Sequence, residues 1–159
     1  MDILLTWFGG KLLDVLPNWL LRRLVKLTQV AQQVKLDLRG QSPVTISLSS
    51  AVPIINLWFE VQNHSVLDLV LDRIVVEITV GQPVAYGVMA HRYPVAHHTT
   101  ESGIYFVATL TPGAVELIKQ QPSTPSNRIV RVGARAYFQT KLGWFAVEGV
   151  NLMRDLPAF

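Results

Sequence analysis

Two periodicities divide the chain. Over residues 18–34, Leu20, Leu24, Leu27, Ala31 and Val34 recur at helical spacing, with Val30 beside them. Asn18, Arg22, Arg23, Lys26, Gln29, Gln32 and Gln33 fill the other side. The spacing predicts an amphipathic helix with a basic flank and Trp19 near its start. Upstream, "ILLTWFGGKLLDV" at 3–15 predicts another apolar helix, weakened at Gly9 and Gly10. Pro17 then suits the first turn of the helix that follows.

After Val34 the period drops to two. "VKLDLRG" and "PVTISLSS" alternate about a turn at Gly40, Ser42 and Pro43. "PIINLWFEVQN" places Ile55, Leu57, Phe59 and Val61 on one face. "VLDLVLDRIVVEITV" places Leu67, Leu69 and Leu71 on one side, then Ile74, Val76, Ile78 and Val80. The parity switch near Asp72 and Arg73 predicts a β-bulge or bend, because only an inserted residue returns the second set to the same face. "VAYGVMA" reads as a strand in which Gly87 marks a bulge or a close backbone approach. "HRYPVAHHTTES" reads as a loop, and "GIYFVATL" as the next strand. In "TPGAVELIKQQ", Thr111 is a cap and Pro112 a first helical position, which predicts one short internal helix. "RIVRVGARAYFQ", a turn at "TKLG" and "WFAVEGVNLM" form a closing hairpin. Seven or eight strands with regular turn signals predict a mainly β fold, an antiparallel β-sandwich. The domain reading is a helical anchor or docking segment at 1–33, a sandwich at 34–155 and a tail at 156–159.

Composition sharpens the reading of the N-terminal segment. Of 159 residues, 50% are hydrophobic and 16% charged, against roughly 25% charged in ordinary soluble domains. So little solvating charge favours an assembly or a membrane surface. The net charge of +3 suits weak attraction to anionic lipid and does not argue for nucleic acid. The chain has no cysteine, which excludes disulfides, thiolate catalysis and cysteine-based metal sites. Asp2, Lys11 and Asp14 disqualify residues 1–15 as a standard secretory signal. Gly9, Gly10, Lys11, Asp14, Pro17 and Asn18 interrupt any span of roughly 20 apolar residues, the length that a single crossing needs.

Candidate chemistry is sparse. His91, His97 and His98 share a loop region, but their spacing matches no metal motif, and neighbours in an extended chain point apart. His64, Ser65 and Asp68 are too close in sequence to form a catalytic set readily. Asp68 and Asp72 read as solvated carboxylates. Arg128, Arg131 and Arg135 lie along one strand and suit anionic headgroups or, more simply, a solvated face. No phosphate loop or nucleophile elbow is present.

The stretch "LWFEVQNHSVLDLVLDRIVVEITVGQPVAYGVMA" resembles the group 2 late embryogenesis abundant family, also called the water stress and hypersensitive response (WHy) domain. The residues that carry the resemblance are Asn63 closing a strand, the run from Leu67 to Val80, Gly81, and "PVAYG" ending at Gly87. "IYFVATLT", the helix at "PGAVELI" and the hairpin from Arg128 to Leu152 continue it over about residues 34–155. His64 stands where the family often has proline. The resemblance implies an immunoglobulin or fibronectin type III sandwich without catalytic residues, a link to desiccation and stress response, and in many members a membrane anchor or lipid binding.

The sequence expectation is therefore a non-enzymatic binding protein that needs no cofactor or metal. It would be a membrane-associated protein, peripheral or monotopic, held at a membrane surface or membrane protein complex. Leu4, Leu5, Trp7, Phe8, Leu12, Leu13, Trp19, Leu20 and Leu24 would enter the apolar phase, and Arg22, Arg23 and Lys26 would meet headgroups. The alternative is an accessory subunit of a homo- or hetero-oligomer, with the same helices buried against partner chains.

Overall fold

The structure is a computed structural model that describes residues 15–40, 44–48, 52–80, 82–120 and 129–155. Two short helices, α1 (Asn18–Leu24) and α2 (Leu27–Gln32), precede β1 (Val34–Leu38), β2 (Val44–Ser47), β3 (Ile54–Asn63), β4 (Leu69–Val80), β5 (Gln82–Met89), β6 (Tyr93–Val95) and β7 (Thr99–Thr109). Helix α3 (Pro112–Gln120) then leads to β8 (Ile129–Thr140) and β9 (Gly143–Asp155).

The strands form two antiparallel sheets, consistent with a β-sandwich. In the first, β7 takes one edge of β3 from Ile54 to Asn63, so β1 and β2 must follow one another along the other edge. In the second, β8 takes one edge of β4, β9 lies outside β8, and β5 and β6 share the opposite edge of β4. Alternation explains the core. Ile55, Leu57, Phe59 and Val61 of β3 are buried, as are Val132, Ala134, Ala136 and Phe138 of β8. Phe59 meets Phe106 edge-on at 6.4 Å between ring centroids, and Phe138 stacks on Phe145 at 5.4 Å.

The parity switch in β4 is resolved as its pattern requires. The register against β8 shifts between Leu71 and Arg73, and both Leu71 and Ile74 are fully buried. Gly87 is a site of close approach, since a Cβ there would come within 2.6 Å of the Phe106 ring. At Gly149 the contact is with backbone. A Cβ there would meet the carbonyl of Leu36 and lie 2.6 Å from its Cβ, where β9 crosses β1.

Three local expectations need correction. Residues 91–102 are not all loop. Tyr93–Val95 pairs with Leu69–Leu71, and β7 begins at Thr99 opposite Asn63. Thr99, Thr100 and Ser102 are exposed and Glu101 is half-buried, so no apolar alternation announces this start of β7. The Thr111 hydroxyl does not cap α3. It lies 3.5 Å from the Val84 carbonyl, beside the Thr111 N–H, which donates to the same oxygen at 3.3 Å. Val84 is the extra residue of a bulge, skipped where the β4–β5 register shifts after Ile78.

The third correction concerns residues 18–34, which do not form one helix. Val25 is extended, with φ −128° and ψ 124°, and Lys26 follows at φ −91° and ψ 134°. Leu21 and Val30 are both buried in the core. Nine residues apart on a continuous helix of 3.6 residues per turn, they would lie on opposite sides. The extended pair at Val25 and Lys26 turns the chain so that both reach the same core.

Candidate functional site

The described part of the N-terminal segment begins at Val15 and runs into β1. Its buried positions are Leu21, Val25 and Val30, which belong to the hydrophobic core of the sandwich. Of the residues expected at a membrane or partner, Trp19 is 66% exposed and Leu24 43% exposed. Leu20 is half-buried, while Arg22, Arg23 and Lys26 are exposed. Leu4, Leu5, Trp7, Phe8, Leu12 and Leu13 lie outside the described residues. The inward set thus differs from the helical stripe of Leu20, Leu24 and Leu27: α1 turns Leu21 inward, and the break at Val25 and Lys26 brings Val30 of α2 to the same core. The β-branched Val25 and the i, i+4 pair Leu21–Val25 were the signal available in sequence.

The electrostatics of this segment are one-sided. Arg22, Arg23, Lys26 and Lys35 carry positive charge, and no Asp or Glu occurs from 15 to 36. The other 10 of the chain's 14 basic residues face 11 acidic ones, so the positive excess resides here. Arg22 and Arg23 occupy the last turn of α1, where the helix dipole favours cations. Among the described residues no helix is long and apolar enough to cross a membrane.

Segment and sandwich are joined. The His64 N–H donates to the Gln33 carbonyl at 2.9 Å. Next to this junction lies a buried polar cluster that sequence reasoning missed. The Asn63 amide donates to the carbonyls of Leu67 at 2.9 Å and Ala96 at 3.0 Å. Its oxygen accepts from the Ser65 N–H at 3.0 Å and the Ser65 hydroxyl at 2.7 Å. Both residues are fully buried. Asn63 therefore ties the end of β3 to the turn into β4 and to the chain leaving β6. Ser65 is committed to this cluster, which removes it as a nucleophile for His64.

Asp68 engages a different histidine. Its Oδ1 lies 2.7 Å from His97 Nδ1 and accepts from the His97 N–H at 2.7 Å. Partial burial pushes the Asp68 carboxyl up, but the two hydrogen bonds from His97, together with the charges of His97 and Lys141, outweigh it and hold the carboxyl below its ordinary value. His97 and His98 do not point apart. They sit in a turn where His98 has φ 52°, and their rings meet edge-on at 5.9 Å. Asp72 lies 3.5 Å from Arg92 Nε. Among the described residues no group of three or more His, Cys, Asp or Glu could hold a metal ion.

The outer sheet faces carry further polar and aromatic contacts. On the first sheet, Arg39 lies over the Trp58 ring at 5.3 Å and Trp58 packs on Tyr105 at 5.0 Å. The Tyr105 hydroxyl donates to Asn56 Oδ1 at 2.8 Å. On the second, Gly133 leaves a shallow depression of about 470 Å³ between Val75, Glu77, Arg135 and Glu148. Arg135 is paired with Glu148 across it, and Arg73 lies over the Tyr137 ring at 4.3 Å. Arg128 lies outside the described residues.

No family model and no curated protein matches the chain. Among solved structures it is similar to the crystal structure of a protein from Archaeoglobus fulgidus, with 16% sequence identity and a TM-score of 0.45, covering 78% of this chain and 97% of that one.

Proposed function

We propose that the chain is a non-enzymatic binding protein of the WHy kind, a sandwich attached peripherally to an anionic membrane surface through its N-terminal helical segment. The observation that carries this reading is the division of labour in α1. Leu21 is fully buried in the sandwich, whereas Trp19 and Leu24 stay exposed beside Arg22, Arg23 and Lys26. A tryptophan and a leucine flanked by cations suit the boundary between headgroups and acyl chains.

The sheet topology supports the finer fold assignment. In immunoglobulin nomenclature β1 and β2 together take the place of strand A, followed by B (β3), C (β4), E (β7), F (β8) and G (β9). The β5–β6 segment pairs with β4, so it is a C′ strand and not a D strand. That strand order favours the fibronectin type III member of the two sandwich types, immunoglobulin and fibronectin type III, that the WHy resemblance implies.

The test is vesicle flotation of the full chain and of the triple variant Arg22→Glu, Arg23→Glu, Lys26→Glu. Deleting residues 1–33 would be a poor control, because it strips Leu21, Val25 and Val30 from the core. Each basic residue near an anionic surface contributes about 1 kcal/mol, so the reversal lowers partitioning onto anionic vesicles by about 100-fold or more. Equal flotation of the two proteins defeats the reading. A wild type that ignores vesicles and runs as a discrete oligomer in light scattering assigns the patch to a protein partner.

A further inference from the structure

Residues 63–65 read Asn–His–Ser, the chain's only Asn–x–Ser/Thr motif with x other than proline, which is the sequence that N-glycosylation requires. Such motifs normally occupy surface loops, because the amide must reach the transferase and the glycan must project into water. Here the motif begins at the inward end of a strand. Ile55, Leu57, Phe59 and Val61 of β3 point inward, and Asn63 continues that row. Turning Asn63 outward would slip its register against Val34 of β1 and Thr99 of β7 and carry the apolar row out with it. The amide nitrogen lies 2.9 Å from the Leu67 carbonyl oxygen, 3.0 Å from that of Ala96 and 3.4 Å from that of Val95. A sugar carbon bonded at about 1.5 Å along the N–H direction of either short bond would stand roughly 1.5 Å from a carbonyl oxygen, far inside the roughly 3.5 Å of non-bonded contact. The Ser65 hydroxyl, the other group the motif needs, is fully buried and donates to Asn63 Oδ1 at 2.7 Å.

We propose that Asn63 is an N-glycosylation acceptor in the unfolded chain alone, and that the glycan and the fold exclude one another. The transfer joins Asn63 Nδ2 to the anomeric carbon of an oligosaccharide carried on a lipid diphosphate. That N–C bond forms, the C–O bond to the diphosphate breaks, the amide gives up one proton and the lipid diphosphate leaves. In the folded chain the carbonyls of Leu67 and Ala96 occupy the space the sugar needs. A glycan attached before folding holds the end of β3 out of the core. In a cell that N-glycosylates its secreted proteins, the functional chain therefore folds on the side of the membrane that lacks the transferase. This inference does not depend on lipid binding.

The experiment is cell-free synthesis of the full chain behind a cleavable secretory leader with endoplasmic-reticulum microsomes, with and without an excess of a short acceptor peptide that consumes the oligosaccharide donor. The same chain made without leader or microsomes is the folded reference. Imported wild type is expected to show one mobility step that endoglycosidase H reverses, and to be digested by protease at least about tenfold faster than the reference. With the peptide present, the step disappears and protease resistance returns. His64→Pro keeps Asn63 and Ser65 but destroys the motif, and gains no glycan on import. Folded protein added to detergent-opened microsomes gains none either. A glycan on the folded protein, a glycosylated chain as resistant as the reference, or an imported wild type without a glycan would each overturn the proposal. So would a peptide-blocked chain that stays protease-sensitive, since the glycan would then not be what prevents folding.

Discussion

Asn63 is fully buried and hydrogen-bonded through both atoms of its amide, and its substitution tests how much that cluster contributes to the sandwich. In Asn63→Ala the Ser65 N–H loses its acceptor in a fully buried setting. The Ser65 hydroxyl still reaches the Leu67 carbonyl at 3.2 Å, and the Ala96 carbonyl keeps the Thr99 hydroxyl at 2.7 Å. One orphaned donor costs about 1–3 kcal/mol, and the lost bonds to Leu67 and Ala96 about 1 kcal/mol each, so the expected loss is about 3–5 kcal/mol. That is a large share of the roughly 5–15 kcal/mol typical of a folded domain. Asn63→Asp separates hydrogen bonding from volume. A carboxylate keeps the contacts from Ser65 but sets a second oxygen against two carbonyls, whereas the neutral carboxyl can donate to one of them. The folded state therefore favours the neutral form and raises the carboxyl's pKa above its unfolded value. The deficit relative to wild type is smallest below about pH 4 and grows as pH rises through the folded pKa. Urea unfolding followed by tryptophan fluorescence at several pH values measures both effects. An Asn63→Ala protein within about 1 kcal/mol of wild type would refute the reasoning.

Further outcomes follow from other contacts. Gly149→Ala drives a methyl group into the Leu36 backbone and should lose about 3 kcal/mol, whereas Gly87→Ala meets only the far edge of the Phe106 ring and should lose about 1 kcal/mol; equal losses in chemical denaturation would contradict the distinction. Leu21→Ala should cost about 3 kcal/mol as a core truncation. A calorimetric melting temperature unchanged by that substitution would mean that α1 is not part of the core. Asp68 has a lowered folded pKa, so its pairing with His97 stabilises the protein above the ordinary carboxylate range near pH 4 and is lost as pH falls through the folded value. Because the side chain is half-exposed, Asp68→Asn should differ from wild type by about 1 kcal/mol or less at pH 7 and by nothing at the lowest pH, as read from unfolding curves.

Local pattern carried far in this chain. Strict alternation in β3 and the parity switch at Asp72 and Arg73 were enough to assign faces and locate a bulge, because a strand with one buried face leaves a period-two record of it. Gly87 was legible as either a bulge or a close backbone approach, and the structure shows a close approach by the Phe106 ring instead of by backbone. The candidate site was half legible. Trp19, Leu24 and the basic residues could be named from composition and spacing, and the structure leaves them exposed. Of the inward set, the i, i+4 spacing of Leu21 and Val25 was a readable signal, whereas the addition of Val30 was not, because it depends on where two short helices break.

The sequence alone determined a mainly β domain, a basic and acid-free stretch at 15–36, and no cysteine chemistry, since composition and periodicity record which residues meet water. Only the tertiary structure decided which partner each polar residue takes. Ser65 goes to Asn63, Asp68 to His97, and Gly143 comes to lie against Leu27 of α2. Those pairings join residues far apart along the chain as well as neighbours, and they depend on how strand ends and turns meet in space.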